Sequence, residues 1–128
     1  MLNIKCFGFN PICVNTYIIY NESKDCVIVD AGNCNLREDN ILFDFIEKNQ
    51  LKPLMILNTH GHIDHILGNY ETVKKFDIPM ASHPDGMEYF KMAYAYAGAF
   101  GINYDKDHTV YPSIELFDNQ IINIGDDE

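Results

Sequence analysis

Basic side chains are scarce in this sequence. Nine Lys and Arg stand against nineteen Asp and Glu, for a formal net charge of −10. Binding to polyanions draws its affinity from Lys and Arg, so nucleic acid is not expected as a partner. Long apolar runs are also missing. Nothing approaches the ~20 residues that span a bilayer, and no membrane partner is expected. The opening Met1-Leu2-Asn3-Ile4-Lys5 lacks the charged start and long apolar core of a signal peptide. The cytoplasm is therefore the expected compartment. Four cysteines occur, Cys6, Cys13, Cys26 and Cys34, and none pairs as Cys-x-x-Cys. That spacing excludes a zinc ribbon or a thioredoxin-like dithiol. In a reducing compartment they are expected as free, partly buried thiols. There is no internal repeat and no low-complexity tract.

What is present is an ordinary globular composition, 47% hydrophobic over 128 residues, enough for one domain or less. The stretch that organises it runs from Pro53 to Gly68. Leu54 to Leu57 is too short and too evenly apolar for a helix, and reads as a strand buried on both faces. His60, His62, Asp64 and His65 follow within six positions, with Gly61 expected to let the backbone turn. Three of the five histidines in the chain stand here. Imidazole and carboxylate together suit zinc, iron or manganese better than calcium or magnesium. In a turn that opens a helix, His60 and His62 can converge on one point while Asp64 and His65 address a neighbouring one. Two-metal hydrolytic sites place their ions roughly 3.5–4 Å apart. A zincin helix is excluded, because no Glu follows His60 or His62.

The remaining chain supplies a sheet and its covers. Ile4–Phe9, Val14–Tyr20 and Cys26–Val29 read as an antiparallel meander. Residues Asn35–Asn49 read as an amphipathic helix with Leu36, Ile41, Leu42, Phe45 and Ile46 near one face. Strand, helix, strand implies a crossover, so the sheet is expected to be mixed. A helix from Ile66 to Phe76, a short strand Ile78–Ser82, and an aromatic helix from His83 to Phe100 follow. Ile114–Phe117 and Gln120–Ile124 are candidate strands. His108 lies in a polar stretch and is expected in solvent.

Thr-His-Gly-His-Ile-Asp-His (Thr59–His65) resembles the His-x-His-x-Asp-His signature of the metallo-β-lactamase superfamily, and the surroundings look most like its glyoxalase II-like hydrolases. Val14–Ile19 and Val27–Gly32 agree in order and spacing. The resemblance implies an α+β fold, an αββα sandwich, of which residues 1–128 would form the first half, an apparently truncated N-terminal piece. It implies His60 and His62 on one metal, Asp64 and His65 on a second, and Asp64 orienting the attacking water. Zn²⁺ at two sites is implied, with Fe or Mn as alternatives. It places Asp30 beside the metal, steadying the histidine loop. The parent enzyme would hydrolyse a small-molecule thioester, such as a glutathione thioester. A persulfide dioxygenase-like iron enzyme and a non-catalytic structural or interaction domain are the alternatives. The other metal ligands of the family lie in a second half that nothing here matches. Weak metal binding, little activity and self-association through an uncovered sheet face, or a Met87–Phe100 helix folded over that face, are therefore expected.

Overall fold

A computed structural model describes all 128 residues. Six strands form one sheet in the order β1-β2-β3-β4-β5-β6. β1 (Asn3–Phe9), β2 (Val14–Tyr20) and β3 (Asp25–Val29) are the expected antiparallel meander. β4 (Lys52–Leu57), β5 (Met80–Ser82) and β6 (Ile114–Glu115) then add in parallel. The sheet is mixed, and the class is α+β.

Register explains the core. Ile18, Ile28 and Ile56 lie opposite one another on three adjacent strands and are fully buried. They pack in one cluster with Leu42 and Ile46 of α1 (Leu36–Lys48). Burying each such side chain is worth about 1.5–3 kcal/mol. Helix α1 starts where Asn35 Oδ1 accepts the Glu38 N–H at 2.8 Å, an N-cap that satisfies an otherwise orphaned donor. Glu38 and Asp39 in its first turn and Lys48 in its last complement the helix dipole.

Several expectations need correction. β4 is less buried than expected: Ile56 is fully buried, whereas Leu54, Met55 and Leu57 are partly open. The helix expected from Ile66 begins earlier and is interrupted, as α2 (Ile63–Ile66) and α3 (Asn69–Phe76). The reason is Gly68, whose N–H leaves the helical ladder to donate to Ala31 O at 2.7 Å. The aromatic helix is likewise divided. A 3-10 turn Pro84–Gly86 leads into α4 (Met87–Lys91) and α5 (Ala93–Ala99). Evenly spread apolar residues give no single stripe, so each piece buries its own contact: Phe90 from α4, Ala93 and Ala97 from α5. These three join the main core cluster. Gln120–Ile124 forms no strand. Its end is held by an isolated bridge of Ile124 to Asp127 and by Asn21 Nδ2 donating to Ile124 O at 2.8 Å. No helix is long and apolar enough to cross a membrane.

The cysteines are all free, with Cys26 buried and the other three exposed. Burial, then the Asp25 carboxylate, pushes the Cys26 thiol up to about 12. Burial, then Glu38 and Asp39, pushes Cys34 up to about 11. The thiolate is the reactive form, so iodoacetamide near neutral pH is expected to label Cys6 and Cys13 well before Cys34 or Cys26. Peptide mapping of a labelling time course checks this; equal rates at Cys34 and Cys6 would contradict it.

Candidate metal centre

The parallel strands β3 and β4 end side by side, and the histidine turn leaves β4 at that end. His60 stands in the turn, His62 at the start of α2, and Asp64 and His65 within α2. The rings of His60 and His62 are 4.4 Å apart, and those of His60 and His65 are 4.0 Å apart. Asp64 Oδ2 lies 3.3 Å from His65 Nε2. The four residues singled out in the sequence are thus brought to one place. His83 and His108 are elsewhere, paired with Asp85 and Asp105 of their own turns.

The turn is held by Asp30, which follows β3 and is nearly buried. Its Oδ1 accepts the Thr59 N–H at 2.7 Å and Asn58 Nδ2 at 3.3 Å. Its Oδ2 accepts the Thr59 hydroxyl at 2.6 Å and His65 Nδ1 at 2.9 Å. Asp30 itself takes a left-handed conformation, φ 54°. Thr16 fixes it there, donating to Asp30 O at 2.7 Å and accepting from Gly32 N–H at 3.0 Å. Asp30, His60 and His65 also bring ligand-type atoms within 4.8 Å of one another. Since both Asp30 oxygens are already engaged by donors, its role is to position the histidine turn.

These bonds place the Nδ1 protons of two imidazoles. His65 Nδ1 must carry its proton to donate to the Asp30 carboxylate, while its Nε2 faces Asp64 Oδ2 at 3.3 Å. Thr59 spends its hydroxyl proton on Asp30, so at 2.9 Å it accepts from His60 Nδ1–H. This leaves His60 Nε2 as the nitrogen open to a ligand. Burial first, then the neighbouring His65 and His62, lowers the basicity of His60 against the opposing pull of Asp30 and Asp64. Neutral imidazoles with unprotonated Nε2 are what a metal requires. A donor set of imidazoles and carboxylate suits a divalent transition ion, and the ligand-type atoms that lie mutually within 4.8 Å are those of Asp30, His60 and His65, with His62 and Asp64 beside them.

Other positioning residues were not apparent in the sequence. Asn10 Nδ2 donates to Gly32 O and to Asp64 O, at 3.0 and 2.9 Å. Asn58 Nδ2 donates to His65 O at 2.9 Å, while Asn58 Oδ1 accepts from Asn69 Nδ2 at 2.9 Å. The Glu38 carboxylate accepts the N–H groups of Asn10 and Cys34 at 3.0 Å. Asn10 reads as a mere turn residue beside Pro11, and only its left-handed φ of 58° hints at more. The role of Gly61 also differs from expectation. Its backbone needs no left-handed turn; a Cβ there would instead lie 2.8 Å from Tyr89 Cβ and 3.1 Å from the Phe90 ring. Gly61 lets α4 approach the histidine turn. Gly61→Ala is accordingly expected to cost about 1–3 kcal/mol by overpacking, read by urea denaturation; an unchanged midpoint would contradict so close an approach.

Comparison with known proteins agrees with this geometry. The family model described as the metallo-beta-lactamase superfamily matches residues 11–126. A hydroxyacylglutathione hydrolase of Buchnera aphidicola subsp. Baizongia pistaciae (strain Bp) is 42% identical over 70 residues, covering 53% of this chain and 26% of that protein. Among solved structures, the BLEG-1 B3 metallo-beta-lactamase superposes with a TM-score of 0.79 at 26% identity, over 96% of this chain and 57% of that one. TTHA1623, in a di-iron-bound form, also gives 0.79, at 25% identity, over 92% of this chain and 56% of that one. The chain thus spans little more than half the length of these structures, and its matched 70 residues cover about a quarter of the hydrolase. With its fold, its signature turn and the family match all in agreement, the chain belongs to the metallo-beta-lactamase superfamily.

Proposed function

We propose that this chain is the first half of a cytoplasmic, metal-dependent hydrolase that cleaves a thioester such as a glutathione thioester. The observation that supports the reading is the clustering of His60, His62, Asp64 and His65 at one turn, with the His60 ring 4.4 Å from that of His62 and 4.0 Å from that of His65, and Asp64 Oδ2 3.3 Å from His65 Nε2. Zinc is the proposed metal, with His60 and His62 on one ion and Asp64 and His65 on a second. Iron has support from the di-iron form of TTHA1623, and manganese suits the same ligands. Such metals polarise a carbonyl and lower the pKa of a bound water toward ~7. Asp64 orients the attacking water and accepts its proton. Asp30 and Thr59 keep the rings in register. The thioester is suggested by the hydroxyacylglutathione hydrolase it resembles.

Two protein ligands per metal are fewer than the three that catalytic zinc usually has. Weak binding and little turnover are therefore expected of the 128 residues alone. Self-association through the sheet face has less to gain than expected, because Val14, Ile18, Cys26, Val27 and Ile28 are already buried within one chain. The test is an assay of a chain extended to the length of its relatives. Such a chain should hydrolyse S-lactoylglutathione in the presence of zinc or iron and lose that activity on His60→Ala. Turnover of a persulfide or a β-lactam instead would overturn the thioester assignment.

A further inference from the structure

Beside the histidine turn lies a cavity of about 290 Å³, lined by His62, Ile63, Asp64, Tyr89, Tyr96 and Phe100. Its aromatic wall comes from α4 and α5. The Tyr89 ring meets His62 edge to face at 4.7 Å, and Tyr96 lies 6.1 Å beyond Tyr89. The wall has a fixed foundation. Phe90, Ala93 and Ala97 are buried in the core, and the bare Gly61 lets α4 sit against the turn. Tyr89, Tyr96 and Phe100 are left exposed at 38%, 39% and 64%. Contiguous exposed apolar surface of this kind marks a binding site more often than a bare monomer face. The lining holds no Lys or Arg, and its one carboxylate is Asp64. An anionic group would find no counter-charge on this wall, whereas a neutral ring gains apolar burial and edge or stacked contacts.

We propose that Tyr89, Tyr96 and Phe100 form a specificity wall that takes a neutral aromatic group of the substrate, flanking the scissile carbonyl. The inference rests on the hydrolase reading of the same site and extends its substrate class to thioesters that carry an aromatic group, which S-lactoylglutathione lacks. The group that the wall accepts is an uncharged ring rather than an anionic chain, which would have to be met by basic residues elsewhere.

The test uses the 128-residue chain, with benzamide as the probe and acetamide and benzoate as controls, followed by ¹H–¹⁵N NMR. Benzamide is expected to shift the amides around His62–Asp64, Tyr89 and Tyr96–Phe100 saturably, with acetamide and benzoate several-fold weaker. Tyr96→Ala and Phe100→Ala should each weaken benzamide by about 3–10-fold, the size of an aromatic contact, while Tyr111→Ala, an exposed ring elsewhere, changes nothing. Dispersed spectra of all three variants confirm that they fold. Equal benzamide affinity in Tyr96→Ala and Phe100→Ala would overturn the proposal. So would benzoate binding as tightly as benzamide, or shifts that follow protein concentration rather than ligand, since a second chain would then cover the wall. Adding zinc separates the two readings. Benzamide binding without zinc-induced histidine shifts supports the wall and counts against a metal centre within these 128 residues; histidine shifts without benzamide binding overturn the wall alone.

Discussion

Asp30→Ala is expected to destabilise the fold by roughly 3–4 kcal/mol and to weaken metal binding by about 10–100-fold. The carboxylate accepts from Thr59 N–H, Thr59 Oγ1, Asn58 Nδ2 and His65 Nδ1 within 3.3 Å. Its loss leaves several of these donors without a partner, and a buried donor left unsatisfied costs about 1–3 kcal/mol. The sum falls short of simple addition because the turn can relax toward water on its open side. The second effect follows from the tautomers. Without Oδ2, nothing holds the proton on His65 Nδ1 or orients that ring. Asp30→Asn preserves shape but replaces one acceptor with a donor that faces either Thr59 or His65, so most of the loss should remain. Urea denaturation and metal titration of the three proteins check both effects. A change below about 1 kcal/mol for Asp30→Ala, outside the range for breaking a buried charge-assisted network, would show that the histidine turn stands without it.

Gly32→Ala is expected to cost about 2–3 kcal/mol, the upper part of the range for overpacking a tight core. A Cβ at this position would lie 2.1 Å from Val14 Cγ1, 3.0 Å from Asn10 Nδ2 and 3.0 Å from the Asp64 carbonyl oxygen. Val14 is buried and β-branched, so one preferred rotamer is hard to abandon. The Asp64 oxygen belongs to the backbone and cannot rotate away. The strain therefore runs from β2 into the ligand helix α2, and the Asn10 bridge between Gly32 O and Asp64 O is the contact first lost. Lower stability should come with displaced amide resonances at Asp64 and His65. Wild-type stability in Gly32→Ala would mean that β2 and the turn are not packed this closely.

Local patterns made much of this molecule legible. Alternation and β-branching located β1, β2 and β3, and the run before Asn58 located β4. The Asn35 cap and the apolar face of Leu42 and Ile46 located α1. The close spacing of His60, His62, Asp64 and His65 brought the ligands to one turn before any tertiary information. The scaffolding was much less legible, because it is non-local. Asn10 reaches Asp64 across 54 positions of sequence, and Asp30 reaches His65 across 35. Neither pairing leaves a periodic trace. Asp30 entered through family resemblance, Asn10 entered only as a turn residue, and Asn69 did not enter at all. The break at Gly68 depends on a carbonyl, Ala31 O, supplied by another element. Gly61 resembles a turn glycine until α4 is seen to lie against it. The division of α4 from α5 at Met92 has no Pro or Gly to announce it and follows from what Phe90 and Ala93 each bury.

Zinc titration of the ¹⁵N-labelled chain, with the imidazole nitrogens observed directly, tests the metal centre with internal controls. All five histidines are on view in one spectrum, and two of them, His83 and His108, lie away from the cluster. His60, His62 and His65 are expected to shift together on adding zinc, with His60 and His65 perturbed at Nε2 rather than Nδ1, while His83 and His108 stay where they were. Shifts spread equally over all five histidines, or none at His60 and His65, would contradict a metal centre at this turn.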